Sequence, residues 1–246
     1  MNDSRERLIV ALDVSTAAAA MKIVAAVGDS ASIYKVGMQL YTAEGPRLVR
    51  DLVALGRKVF LDLKYHDIPN TVESAVREAA KLGVSMLTVH CFGGSKMLRA
   101  ATNAAREIKP DLTVLAVSVL TSMGAVDLAE VGVEADVLGQ VVALSKLALA
   151  AGCKGVVASA HEARSLRNAL GNDFALVTPG VRPAGSGHDD QARVVTPAQA
   201  IAAGASHIVV GRPITEAVDP ALASREILSQ MDGILSSQSQ LSSLRA

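Results

Sequence analysis

The sequence carries no excess charge of either sign. Lysine plus arginine number 24, and aspartate plus glutamate also number 24. No global field is therefore available to hold a polyanion, and no local run of basic residues replaces it, which argues against nucleic acid as the partner. Long apolar runs are missing as well. Lys146, Lys154 and similar charges cut the hydrophobic stretches short of the ~20 residues a bilayer crossing needs. The polar start Met1-Asn2-Asp3-Ser4-Arg5 lacks the apolar core of a signal peptide. The expectation is a soluble, cytoplasmic protein with no membrane partner. Cysteine is nearly absent: Cys91 and Cys153 are too few for a disulfide framework and lie in apolar surroundings, which suits buried reduced thiols. Cys91 follows His90 directly, but neighbours on a strand point to opposite faces, so a nucleophile–base dyad is not expected.

A linker is also lacking. No Pro/Gly/Ser-rich break interrupts the chain before residue 233, and half of its 246 residues are apolar. A chain of that length buries roughly 70–75 % of its unfolded surface as one unit. One domain over residues 1–232 is expected. Residues 233–246 are rich in serine and glutamine and read as a flexible C-terminal tail.

What the sequence does contain is alternation. Short β-branched or apolar runs recur at residues 8–13, 33–37, 58–64, 86–90, 113–119, 155–159, 174–178 and 207–211, eight in all. Alanine-rich stretches with helical periodicity lie between them, such as 71–82 and 95–108, the second stopped by Pro110. Asn70 with Glu73, and Thr196 with Gln199, have capping-box spacing; Pro197 suits a first helical position, and Gly83 and Gly204 suit helix ends. Strand–helix alternation in a single α/β domain of this size fits a (β/α)8 TIM barrel or a doubly wound open sheet. The first strand-to-helix turn, Leu12-Asp13-Val14-Ser15-Thr16-Ala17, has no glycine to admit a dinucleotide pyrophosphate, which favours the barrel.

Barrel active sites form at the C-terminal ends of the strands. Strand one ends in Asp13, strand two carries Lys35, and strand three reads Phe60-Leu61-Asp62-Leu63-Lys64, where the two-residue period puts Asp62 and Lys64 on one face. The opposite register would bury both charges beneath the helices at a cost of several kcal/mol each. The same period aligns Ile9, Ala11 and Asp13, and Ile33, Lys35 and Gly37. An ion-pair lattice that merely closes the barrel top would use the same side chains. Four charges from three adjacent strands nonetheless make a costly plug for a barrel normally filled with branched apolar residues, unless they meet a ligand.

A second cluster follows strands seven and eight, where barrels commonly grip phosphate. In Val210-Gly211-Arg212-Pro213-Ile214-Thr215, glycine allows close backbone approach, Arg212 offers a guanidinium fork, and Pro213 can open a helix whose N-terminus favours an anion. The stretch 179–191 holds three glycines and two prolines and reads as a candidate lid. The five histidines, His66, His90, His161, His188 and His207, show no spacing typical of a metal site, so no metal is expected. His66, beside Lys64 and Asp67, suits a supporting or surface role.

The run Asp62-Leu63-Lys64-Tyr65-His66-Asp67-Ile68-Pro69-Asn70-Thr71 resembles the hallmark of orotidine 5′-phosphate decarboxylases. The resemblance extends from Leu8-Ile9-Val10-Ala11-Leu12-Asp13 through Tyr34-Lys35-Val36-Gly37 to Thr178-Pro179-Gly180-Val181-Arg182-Pro183, Asp190-Gln191 and Val210–Thr215. It implies that orotidine monophosphate becomes uridine monophosphate and CO2 in pyrimidine biosynthesis, without a cofactor, in a homodimer whose sites are shared across the interface. It further implies that Lys64 donates the proton, that Asp62, Lys35 and Asp67 complete its charged network, and that Asp13 and Lys35 hold the ribose. Thr71 and Asp67 would reach over from the partner subunit. Gln191, Gly211, Arg212 and Arg182 match positions that hold the phosphate or close the lid over it, and Thr121 matches a pyrimidine-binding one, with Ser118 as a nearby competitor. Cys91 departs from the small residue expected after the fourth-strand histidine.

Three other readings are open at this point. A magnesium-dependent sugar-phosphate decarboxylase or synthase of the same superfamily shares the Asp-x-Lys-x-x-Asp pattern, and the Ile68-Pro69-Asn70-Thr71 extension argues against it. A Schiff-base lysine is a second; flanking carboxylates argue against that. The third is a non-catalytic phospholigand-binding barrel, which would be expected to have lost at least one charged member of the set.

Overall fold

The computed structural model describes residues 4–183 and 195–243. Strands β1 (Leu8–Ala11), β2 (Ile33–Gly37), β3 (Lys58–Tyr65), β4 (Met86–His90), β5 (Thr113–Val117), β6 (Gly155–Val157), β7 (Ala175–Thr178) and β8 (His207–Val210) form a closed barrel in sequence order. All neighbouring strands are parallel, and β8 closes against β1 through Leu8↔Ile208 and Val10↔Val210. Each strand of the expected set is found, and four of them, β1, β5, β6 and β8, end one or two residues earlier than expected. The helices are α1 (Ala17–Val27), α2 (Met38–Ala54), α3 (Pro69–Lys81), α4 (Gly94–Ile108), α5 (Ala125–Glu130), α6 (Val137–Ala150), α7 (Ala160–Leu170), α8 (Pro197–Ala203), α9 (Arg212–Thr215) and α10 (Pro220–Ser243). The fold is a (β/α)8 TIM barrel.

Strand parity sorts the core into two shells. Ile9, Ala11, Ile33, Phe60, Met86, Leu115, Val177 and Val209 fill the barrel interior. Leu8, Val10, Tyr34, Val36, Leu61, Leu87 and their outward neighbours pack under the helices. Branched side chains alternating on two-sided strands produce this division, because every strand of a parallel barrel is covered on both faces.

Local signals succeed at one helix start and fail at another. Thr196 accepts from the Gln199 amide while the Gln199 side chain accepts from the Thr196 amide, Pro197 opens α8, and Gly204 ends it at φ +112°, a left-handed conformation that glycine adopts freely. The box expected of Asn70 and Glu73 is absent. Helix α3 starts earlier, with Ile68 as its N-cap residue and Pro69 in the first turn, so Asn70 is already helical. Its carbonyl accepts from the Ser74 hydroxyl, and Glu73 pairs with Arg77. The proline's fixed φ suits the first turn and takes precedence over the polar cap.

The stretch from residue 233, expected to be a flexible tail, continues α10 as far as Ser243. Ile234 and Leu235 pack partly against the outer core, which explains why the helix does not stop at Gly233. Both cysteines are buried and free, and burial pushes each thiol up to about 12, so neither supplies a thiolate near neutral pH. Among the described residues, no helix is long and apolar enough to cross a membrane.

Candidate active site

Strand β3 brings the central charges together by an irregular route. It advances four residues, from Leu61 to Tyr65, while β4 advances two, from Leu87 to Val89. Two extra residues are thus accommodated in β3. Because that number is even, facing is preserved beyond the irregularity: Leu61 is in the outer core with Leu63 and Tyr65 packed against it, while Asp62 and Lys64 point into the barrel mouth. The expected shared face is therefore observed, although the strand is not regular. Lys64 takes φ +52°, the left-handed region, and among the described residues no other non-glycine has a positive φ.

The Lys64 ammonium lies 2.9 Å from both Asp62 carboxylate oxygens. Lys35 Nζ is 2.8 Å from Asp13 Oδ1 and 4.0 Å from Asp62 Oδ2, so the four charges form one chain, Asp13–Lys35–Asp62–Lys64. Its centre is the less accessible part: Lys35 and Asp62 side chains are 12 % and 15 % exposed, against 60 % for Asp13. Gly37 makes room for it. A Cβ there would come within 3.1 Å of Lys35 Nζ and 3.4 Å of Asp13 Oδ1.

These groups line one wall of a cavity of about 550 Å³ at the C-terminal mouth of the barrel. Phe60, Val117, Val157, Val177 and Val209 supply apolar lining, and Thr121 and Leu120 contribute from the loop after β5. Gly211, Arg212, Pro213 and Thr215, together with Pro179–Arg182, also line it. Gly211 precedes α9 and is its N-cap residue; the Ile214 and Thr215 amides donate back to its carbonyl. Arg182 is buried, and its amide donates to the Val195 carbonyl beside the Val181↔Val195 bridge. The lining thus combines paired acids and ammonium groups, two arginines and apolar side chains. That arrangement fits a ligand with an anionic end and a flat, weakly polar body.

A family model described as Orotidine 5′-phosphate decarboxylase / HUMPS family matches residues 6–227. The chain belongs to the orotidine 5′-phosphate decarboxylase family. It is 52 % identical over 222 residues to the orotidine 5′-phosphate decarboxylase of Anaeromyxobacter dehalogenans, covering 90 % of this chain and 96 % of that one. It is 49 % identical over 235 residues to the enzyme of that name from Heliobacterium modesticaldum, covering 93 % and 97 %. The crystal structure of orotidine 5′-phosphate decarboxylase from Lactobacillus acidophilus superposes with a TM-score of 0.83 at 39 % identity, over 92 % of this chain and 99 % of that one.

Within this decarboxylase-family barrel, Asp13, Lys35, Asp62, Lys64, Thr121, Arg182, Gly211 and Arg212 all line the cavity. The two candidates in the β5 loop separate: Ser118 is fully buried and donates to the Val157 carbonyl at 3.2 Å, whereas Thr121 is exposed at the cavity wall. Asp67 and Thr71 are not brought into the cavity of their own chain. Both are exposed, and Asp67 Oδ1 accepts from the Ile68 amide. Gln191, like His188 and Asp190, lies outside the described residues.

Sequence reasoning missed two residues that touch or line the site. Thr88 on β4 hydrogen-bonds both the Lys64 amide and Asp62; strand parity from Met86, which faces inward, would have found it. Glu216 lines the cavity one turn beyond Arg212, and its i+4 spacing was the available signal. His66, expected in a supporting or surface place, is exposed and stacks on His90 with ring centroids 5.4 Å apart. His90 Nδ1 accepts from the Phe92 amide; burial lowers the His90 pKa, and the His66 and Lys64 charges lower it further, so this ring is neutral at pH 7. Among the described residues, no group of three or more His, Cys, Asp or Glu side chains is placed to hold a metal ion.

Proposed function

We propose that this chain is a cytoplasmic, homodimeric carboxy-lyase that converts orotidine 5′-phosphate to uridine 5′-phosphate and CO2, with Lys64 delivering the proton to C6 and no cofactor taking part. The observation that carries the reading is the Lys64–Asp62 contact of 2.9 Å, set in the same cavity as Arg212. Decarboxylation breaks the bond from C6 to the carboxylate carbon. CO2 leaves, and the electron pair stays on C6 in the ring plane, orthogonal to the π system, where delocalisation cannot spread it. Fixed charge must then do the work. The Lys64 ammonium stabilises the developing carbanion and transfers one N–H proton to C6, which completes uridine 5′-phosphate.

The remaining roles are those the family resemblance implies, and the presence of Asp13, Lys35, Asp62, Thr121, Arg182, Gly211 and Arg212 in the cavity lining supports them. Gly211, Arg212, Arg182 and Gln191 hold the phosphate, Asp13 and Lys35 the ribose hydroxyls, and Thr121 the pyrimidine edge. Asp62 lies where the substrate carboxylate is crowded. Phosphate contacts remote from C6 supply binding energy that aligns the ring, so they contribute to turnover without touching the bond that breaks. Exposure of Asp67 and Thr71 outside their own cavity, with Ile68 between them 66 % exposed, supports their reaching into a partner subunit's site.

The sugar-phosphate reading loses ground because relatives near 50 % identity over more than 90 % of their length carry the decarboxylase name. Ultraviolet absorbance decides the point. Purified protein mixed with orotidine 5′-phosphate should bleach its absorbance at the same rate with and without chelator. Loss of the rate on chelation, restored by magnesium, would transfer the protein to the sugar-phosphate branch.

A further inference from the structure

Resting on the proposed decarboxylation, we infer that Thr88 is a positioning residue for the reaction, its single hydroxyl setting both the Asp62 carboxylate and the backbone turn that aims Lys64. The register of the barrel isolates it. Between the pairs Leu61↔Leu87 and Tyr65↔Val89, β3 has three residues and β4 has only Thr88. A ladder that gains two residues on one side leaves amides without their regular partners, and a buried amide without a partner is costly. The Thr88 side chain supplies what the ladder lacks. Its Oγ1 accepts from the Lys64 amide at 2.8 Å and donates to Asp62 Oδ1 at 2.9 Å.

One hydroxyl has one proton to give and lone pairs to receive, so both bonds are made at once, and each fixes the direction of the other. Thr88 is fully buried, which leaves water no access to replace it. The accepted bond holds Lys64 in its left-handed conformation, which a lysine adopts only when its surroundings impose it. The donated bond fixes the Asp62 oxygen that also contacts Lys64 Nζ. Backbone and carboxylate are thereby referenced to one atom of the neighbouring strand. The ammonium then meets C6 in a set direction without searching rotamers, and angular alignment of this kind appears in kcat rather than in affinity.

The test compares native enzyme with Thr88→Val, which keeps shape and loses the hydroxyl, and Thr88→Ser, which keeps the hydroxyl and loses a methyl group. Steady-state kinetics on orotidine 5′-phosphate should show Thr88→Val down roughly 10- to 100-fold in kcat with KM within about threefold, and Thr88→Ser within about threefold of native. A hydroxyl that only supported the fold would lower the melting temperature and leave kcat of the folded fraction unchanged. Thr88→Val turning over at the native kcat, or Thr88→Ser losing as much as Thr88→Val, would overturn the inference. Should the valine variant not fold, Thr88→Ser and Thr88→Ala differ by the hydroxyl alone: a kcat ratio of about five or more supports the assignment, and a smaller one removes it. Native protein that released no uridine 5′-phosphate would sink the proposed function itself, a result distinct from an active Thr88→Val.

Discussion

The Lys64 ammonium sits 2.9 Å from each of the two Asp62 carboxylate oxygens, two residues away on the same strand. An ammonium held symmetrically by a carboxylate is arranged to give a proton, whereas a Schiff-base lysine must present a free amine to a carbonyl carbon. Sodium borohydride added during turnover should therefore leave Lys64 unmodified by mass spectrometry. A reduced adduct on that residue would make covalent catalysis the mechanism.

Arg212 lines the cavity at the start of α9. If phosphate contacts align the ring, Arg212→Ala should raise KM roughly 10- to 100-fold and also lower kcat. A rise in KM with kcat untouched would mean that the arginine binds ground state and transition state equally.

Asp67 is exposed on its own chain while Lys64 is inside the cavity, so the two residues can be separated genetically. Lys64→Ala and Asp67→Ala homodimers should each be nearly inactive. In a mixed dimer one site collects both lesions and the other receives native Lys64 and Asp67, so random pairing restores roughly a quarter of all sites. Co-refolded variants, with mixed dimers verified by native mass spectrometry, test this. Activity no greater than the mean of the two parents would assign Asp67 to its own chain.

How much of this was readable in advance depended on whether a feature follows from one strand or from two. The inward facing of Ile9, Asp13, Lys35 and Asp62 is a property of alternation along a single strand, and it was readable. The insertion between Leu61 and Tyr65 is a relation between β3 and β4, and a linear pattern does not express it; parity along β4 turns Thr88 inward, but its bonds to Lys64 and Asp62 depend on that insertion. Asn70 was misplaced because two start signals competed within three residues and Pro69 prevailed. The helix through residue 233 rests on contacts made by Ile234 and Leu235, which serine-rich composition concealed. Room for the Lys35 head at Gly37 depends on Asp13 from the adjacent strand, so parity named the residue without revealing its use.

At the opposite end of the barrel, burial pulls the His207 pKa down from 6.5 to about 4, with Arg7 and Lys58 lowering it further and Glu6 opposing them. The folded protein keeps this ring neutral where the unfolded chain already binds a proton. Stability is therefore unaffected above about pH 6.5 and falls as pH drops from there toward 4. Between pH 7 and 5 the ring should cost on the order of 2 kcal/mol, at about 1.4 kcal/mol per pH unit. Denaturant titrations at both pH values, on native protein and His207→Gln, should show a shallower decline in the variant. Equal declines would place the acid sensitivity elsewhere.

Proton donation from Lys64 to C6 is tested by single-turnover decarboxylation of orotidine 5′-phosphate by Lys64→Ala, with binding of uridine 5′-phosphate measured on the same preparation. The rate should be lower by at least ~10³-fold with product affinity changed by less than about tenfold, because the phosphate and ribose contacts remain. A Lys64→Ala enzyme within about tenfold of the native rate would contradict proton donation by this residue.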